Sequence, residues 1–263
     1  MRRPDELRFA PPAELAPLEA GTLVIGDLHL DPAGEPRIEG FLEWLRRNPA
    51  PSLVVLGDLF EVWVGPAQAR LAGASLILAE LSAWTARGFG LEVVPGNRDF
   101  LLGEAFTGLT GGRLHPHGFR AQLPGSEDHA IFVHGDELCT QDLAYQRLKR
   151  VLRSGPVRLA AKAAPLALAR WAAGRLRAAS VRAVAQKPAP EKSMQASACR
   201  ELCARTHSQA LVCGHAHAFR DDRLDDGPRW LVLDAWGDER DVLELTDMSF
   251  RPRSSAAARG EAS

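Results

Sequence analysis

Five short stretches of the chain share one construction, in which an aliphatic run meets a Gly and a residue able to bind a metal ion. They are Val24-Ile-Gly-Asp-Leu-His29, Val54-Val-Leu-Gly-Asp58, Val93-Val-Pro-Gly-Asn97, Phe132-Val-His-Gly-Asp136 and Leu211-Val-Cys-Gly-His-Ala-His217. Together they offer Asp27, His29, Asp58, Asn97, His134, His215 and His217. Seven mixed oxygen and nitrogen ligands exceed what one divalent ion needs. They suit two ions such as Mn²⁺, Fe or Zn²⁺ about 3.5–4 Å apart, which can generate a hydroxide at neutral pH and clamp a phosphoryl group during in-line displacement. Oxygen ligands alone would have pointed to Mg²⁺ or Ca²⁺. A single Asp or His is more often a cap or a core residue; five such stretches in order are not accidental. His115, His117, His129 and His207 lie outside the pattern and receive no role.

The runs themselves are short and apolar, as in strands buried on both faces, and each places its polar residue at the carboxyl end, where α/β sheets bind ligands. The first strand is expected over 22–26, followed by a helix over 37–47 with Ile38, Phe41, Leu42 and Leu45 on one face. Strands over 53–57 and 91–94 flank a helix expected from about Gln68 to Arg87. Residues 113–133 read as an antiparallel hairpin leading into His134, 192–206 as a helix and 210–213 as a strand. Short strands between 219 and 245 complete an α/β chain without internal repeats.

With 263 residues and 46% hydrophobic content, the chain can bury one large core with an insertion. A net charge of −1 argues against a protein that coats nucleic acid. Residues 1–19 mix charges and Pro without an apolar core, so a cytoplasmic protein is expected. Cys139, Cys199, Cys203 and Cys213 form no Cys-x-x-Cys pair and suit reduced thiols. Residues 1–20 are assigned to an N-terminal extension, 21–141 and 191–247 to the core, 142–190 to an inserted segment and 248–263 to a disordered tail.

Between Asp142 and Glu191 stand eleven Lys and Arg and no acidic residue. Ala and Leu favour helix there, with breaks near Gly155-Pro156 and Pro165, so two or three short helices are expected. Leu159, Leu166, Leu168, Trp171 and Leu176 share no face at helical periodicity. Two readings remain at this point: a solvated basic hairpin, or a cap that meets an anionic, partly apolar ligand.

The ordered motifs resemble those of the calcineurin-like metallophosphoesterases, Asp-x-His, Gly-Asp, Gly-Asn, His and Gly-His-x-His. The resemblance implies a sandwich of two mixed β-sheets flanked by helices, with an inserted helical cap. It also implies one ion on Asp27, His29, Asp58 and His217 and another on Asp58, Asn97, His134 and His215, with Asn97, Arg98 and His215 taking part in catalysis.

A narrower resemblance, carried by Gly57-Asp-Leu-Phe-Glu-Val-Trp-Val-Gly65, Gly96-Asn-Arg-Asp-Phe-Leu-Leu-Gly103 and the run from His134 to Gln146, is to the UDP-2,3-diacylglucosamine pyrophosphatases of lipid A synthesis. Arg98 is telling, since most metallophosphoesterases carry His there. This resemblance implies two Mn²⁺ ions, a peripheral enzyme on the anionic inner-membrane surface, and an acylated UDP-sugar lipid substrate. No nucleic acid or obligate protein partner is implied. Arg98, Asp142, Tyr145, Ser180 and Lys187 would contact the substrate, hydrolysed to UMP and 2,3-diacylglucosamine 1-phosphate. Three positions depart from the group: Pro66-Ala67-Gln68 replaces an acidic run, Val184 an Asn, and Ala216 a Thr. A relative acting on another phosphodiester, or a non-catalytic module, are the alternatives; the latter is expected to lack ligands.

Overall fold

The computed structural model describes residues 10–186, 188, 193–247 and 249–256. Two six-stranded mixed sheets lie face to face. The first has the order β12 (Ser249–Arg253), β11 (Val242–Thr246), β2 (Leu23–Ile25), β3 (Ser52–Leu56), β4 (Gly90–Val94), β5 (Arg113–Leu114). Its members from β2 to β5 are parallel, while β11 is antiparallel to both neighbours. The second sheet has the order β1 (Ala13–Glu14), β6 (Phe119–Gln122), β7 (His129–Phe132), β8 (Ala210–Cys213), β10 (Arg229–Val232), β9 (Arg220–Arg223). There β7, β8 and β10 are parallel.

The period of two along each strand divides the aliphatic runs between two cores. Leu23, Ile25, Leu53 and Val55 face an outer helical layer of α1 (Pro36–Arg47), α2 (Ala72–Ala86) and α3 (Glu104–Thr110). Their alternates Val24, Val54 and Leu56 meet Phe119, Phe132, Val212 and Leu231 between the sheets. Ile131 and Leu211 turn outward onto α7 (Ala196–Thr206). Both faces are therefore covered, which is why these strands read as continuous apolar runs. The stripe on α1 is as expected, with Pro36 at its start and Arg46 and Arg47 in its last turn.

Three expectations need correction. The helix expected from Gln68 begins at Ala72, because Pro66–Arg70 forms a separate 3-10 turn. Buried Gln68 closes that turn, donating to Val62 O at 2.6 Å and accepting from Val64 N at 2.8 Å. The expected disordered tail contains β12, held by buried Phe250 and by Arg251 and Arg253 on Glu244 at 2.6 and 2.8 Å. The N-terminal extension supplies β1 to the sheet edge, and Leu18 enters the inter-sheet core.

The described part of the inserted segment is mostly helical, with α4 (Leu143–Leu152), α5 (Gly155–Ala163) and α6 (Leu166–Gln186) joined by short breaks. The breaks fall where Gly155-Pro156 and Pro165 place them, although α6 is not short. It sits over the loops that follow β3 and β4. At Gly65 (φ +143°) a side chain would strain the backbone and meet the Ala161 carbonyl of α5.

Candidate metal centre

All five motifs end at one site, from β2, β3 and β4 of one sheet and β7 and β8 of the other. The expected Gly residues are there, but the ligand backbones carry most of the turn. Asp27, His29 and Asp58 each have φ of 51°, His215 70° and His217 52°. Among the described residues only His207 and Asp225 join them as non-glycine positions at positive φ. Asp, Asn and His enter this region most readily, because their polar groups can bond locally. The glycines are needed for room: a methyl group on Gly57 would strike the His134 ring, one on Gly96 the Asp58 carboxylate, and one on Gly214 the Asp27 carboxylate.

Two ligand groups result. Asp27, His29 and His217 have donor atoms within 4.8 Å of one another, as do Asp27, Asp58 and His134. Asp58 Oδ2 lies between two imidazoles, 3.8 Å from His29 Nδ1 and 3.9 Å from His134 Nε2. Asn97 Oδ1 is 3.2 Å from His134 Nε2. His215 is edge-on to His134 with ring centroids 5.0 Å apart, and its backbone N donates to Asp27 Oδ2 at 2.6 Å.

These residues fit divalent cations on several counts. Asp27 Oδ1 and His29 Nδ1 are buried without a hydrogen-bond partner. The Asn97 amide lies against the Asp58 carboxylate and His134 Nε2. Nε2 of His29 and of His217 face each other at 3.2 Å. A cation would take up the unpartnered Asp27 and His29 atoms. His134 is oriented for it, since Nδ1 donates to Leu56 O at 2.8 Å and leaves Nε2 for the centre.

Charge follows the same logic. Burial, then the Arg98 charge, lowers His29 to about 3, and burial with the His134 charge lowers His215 to about 4; both keep a free lone pair at neutral pH. Burial also disfavours a charged His134, but Asp58 and Asp27 outweigh it and raise the group to about 9. Burial pushes Asp58 up to about 7, His134 opposing.

Arg98 lies in the site: its backbone N donates to Asp58 Oδ1 at 2.9 Å and its Nε is 3.5 Å from Asp58 Oδ2. The other expected substrate residues are placed differently. Asp142 is buried and caps α4 through Tyr145 N at 3.0 Å. The Tyr145 hydroxyl donates to Asp136, and Ser180 is exposed on α6. Lys187 lies outside the described residues.

Three carboxylates escaped sequence reasoning. Glu61 accepts from Arg98 Nη1 at 2.7 Å and pairs with Arg177 of α6. Buried Asp99 accepts from four backbone amides, and buried Asp136 pairs with Lys149 Nζ at 2.8 Å. Each lies within or next to a quoted motif, which was the only available signal. Of the four histidines without a role, His115 pairs with Glu92 at 2.6 Å, His129 Nδ1 lies 3.0 Å from Glu127 O, and His207 ends α7. All four cysteines are buried and none is in a disulfide.

Comparison with known proteins places the chain in a family. A UDP-2,3-diacylglucosamine hydrolase of Sodalis glossinidius is 36% identical over 228 residues, covering 86% of this chain and 94% of that protein. One from a Shewanella species is 34% identical over 239 residues, covering 86% and 92%. A dimetal phosphatase from Danio rerio aligns at 13% identity and a TM-score of 0.46, covering 91% of this chain and 97% of that one. The model of the calcineurin-like phosphoesterases matches residues 21–219, which span all five ligand-bearing motifs. With its candidate metal-binding residues presented from two facing mixed sheets, the chain belongs to the calcineurin-like phosphoesterase family.

Proposed function

We propose that the chain hydrolyses the pyrophosphate of UDP-2,3-diacylglucosamine, giving UMP and 2,3-diacylglucosamine 1-phosphate. The observation that carries this reading is a cavity of about 590 Å³ between cap and core, lined by Trp63, Leu101, Phe106 and Leu159, with Arg158 and Lys162 also in its wall. Trp63 N donates to Arg98 O at 3.0 Å, so the apolar chamber adjoins the charged site. An anionic head beside a greasy cavity fits an acylated nucleotide sugar better than a soluble phosphodiester. The names and coverage of the relatives support the same substrate.

Asp27, His29, Asp58 and His217 would hold one ion, and Asp58, Asn97, His134 and His215 the other, with Mn²⁺ as the proposed metal. Bound there, two such ions supply positive charge to a phosphoryl group and a nucleophile from water at neutral pH. The Arg98 guanidinium, fixed by Glu61 and Asp58, offsets charge on the equatorial oxygens of the phosphate nearer uridine. The departing sugar 1-phosphate has a low pKa, so it needs little help from an acid, and the lone pair of His215, kept free of a proton by burial and the His134 charge, is left for the ion it would hold. Asp142, Tyr145, Ser180 and Lys187 are proposed to line the sugar end.

The cap also exposes Leu159, Leu168 and Trp171 among its cations, a composition suited to the anionic surface of the inner membrane. No described helix is long and apolar enough to cross a membrane. Turnover in ¹⁸O-labelled water tests the chemistry. Label is expected in UMP and not in the lipid phosphate; label in the sugar phosphate, or release of UDP, refutes the reading.

A further inference from the structure

The cap has a function beyond roofing a substrate. Each of three ligand-bearing loops is gripped by one of its basic side chains. After β7, Asp136 takes Lys149 Nζ at 2.8 Å together with the Tyr145 hydroxyl, while Gln146 Nε2 donates to Asp136 O at 2.8 Å. After β4, the Arg153 guanidinium donates to Gly96 O at 3.1 Å and Pro95 O at 3.5 Å, directly before Asn97, and to Pro116 O at 3.2 Å. After β3, Arg177 pairs with Glu61, three residues beyond Asp58.

The Arg153 contacts are the most informative. The rigid fork of the guanidinium fixes where those three carbonyls lie, while, burial opposing, its charge joins that of Lys149 in holding the Asp136 carboxyl well below its ordinary value. Lys149 is similarly committed, with its side chain only 13% exposed. These cations face inward and were not available to a solvated basic face.

The loops bearing the remaining ligands are braced from elsewhere. Arg37 of α1 donates to Leu28 O at 3.2 Å, between Asp27 and His29, and His215 N is tied to Asp27. The distribution is therefore uneven: Lys149 and Arg153 hold the loops of His134 and Asn97, whereas Glu61, the partner of Arg177, lies 3.7 Å from His29 Nδ1 and so faces both sides of the centre.

We propose that Lys149 and Arg153 are positioning residues of the metal centre, and that through them the cap controls affinity for the ion held by Asp58, Asn97, His134 and His215 while leaving the ion on Asp27, His29, Asp58 and His217 nearly unaffected. This rests on the dinuclear reading above. Partners of this kind, one shell out from the ligands, typically change metal affinity about 10–100-fold. By reciprocity, filling the cap-dependent position must steady the cap.

The test is titration of metal-free full-length protein with Mn²⁺, free Mn²⁺ being followed by electron paramagnetic resonance. Wild type should take up two ions. Arg153→Met and Lys149→Met should keep one affinity unchanged and weaken the other about 10–100-fold. Arg153→Lys should recover part of the loss, and Arg147→Met, on the exposed face of α4, should bind as wild type. Hydrogen exchange in α4 should slow on adding Mn²⁺ to wild type and less so in Arg153→Met. If the methionine variants melt early, Arg153→Lys carries the test, with intermediate weakening of one ion expected. Two unchanged affinities, or equal weakening of both in folded protein, overturn the proposal. A wild-type protein that binds a single ion refutes the dinuclear reading itself, and the proposal with it.

Discussion

Replacing Asp99 by Asn removes one negative charge and no volume, yet it should loosen two ligand loops at once. Asp99 Oδ1 accepts from Gly96 N at 2.7 Å and Asp58 N at 3.3 Å, and Oδ2 from Leu59 N at 2.8 Å and Phe60 N at 3.4 Å. An Asn amide can serve one pair with its oxygen but turns N–H groups toward the other. The loss is one short bond to a charged acceptor, about 1.5–3 kcal/mol, and one long bond of lower value, for a sum of about 2–4 kcal/mol. For a chain of this size each kcal/mol moves Tm by about 2–4 °C, so calorimetry of the metal-free protein should show a fall of roughly 5–15 °C. Mn²⁺ uptake should weaken in parallel, because Asp58 and Asn97 lie on the two loops that the carboxylate ties together. A fall of under about 2 °C with unchanged Mn²⁺ uptake would show that the loops hold their shape without it.

Asp58→Ala should reduce bound Mn²⁺ and lower kcat by at least ~10³-fold, whereas His207→Ala should leave the rate unchanged; a full-rate Asp58 variant refutes the shared carboxylate. At Glu92, burial raises the carboxyl, but His115 and Arg113 outweigh it and hold it below its ordinary 4.5. Its folded value is thus below its unfolded one, so its contribution is present above about pH 4.5 and is lost as pH falls through the folded value. The Tm gap between wild type and Glu92→Gln should therefore narrow from about pH 6 to about pH 3, and a gap independent of pH would count against the assignment. Sedimentation with vesicles should show binding to anionic lipid that weakens with salt and with Trp171→Ala; equal binding to neutral lipid would refute the proposed membrane face.

The convergence of the candidate ligands was legible because each ends or immediately follows an apolar strand that cannot face water on either side, and a strand end fixes where the next residue lies. Val54 and Val55 announce a buried strand wherever they occur, so Asp58 could be placed without knowing its neighbours. The grip of the cap was not legible. A run of Lys and Arg shows charge but not direction, and the partners of Arg153 and Arg177 lie far away in sequence, at Gly96 and Glu61. β12 was missed for a related reason: Arg251 and Arg253 resemble a charged tail until Glu244 is set opposite them. Gln68 misled by its helix propensity, which two hydrogen bonds to its own loop override.

The left-handed backbone at Asp27, His29, Asp58, His215 and His217 also bears on redesign. At those five positions the choice of donor is restricted twice, by the ion and by a conformation that β-branched and bulky side chains resist. Exchanges there are confined in practice to Asp, Asn and His. Asn97 and His134 do not have this backbone, so a Cys or Glu introduced to favour a different ion belongs at one of these two, on the side of the centre that the cap grips.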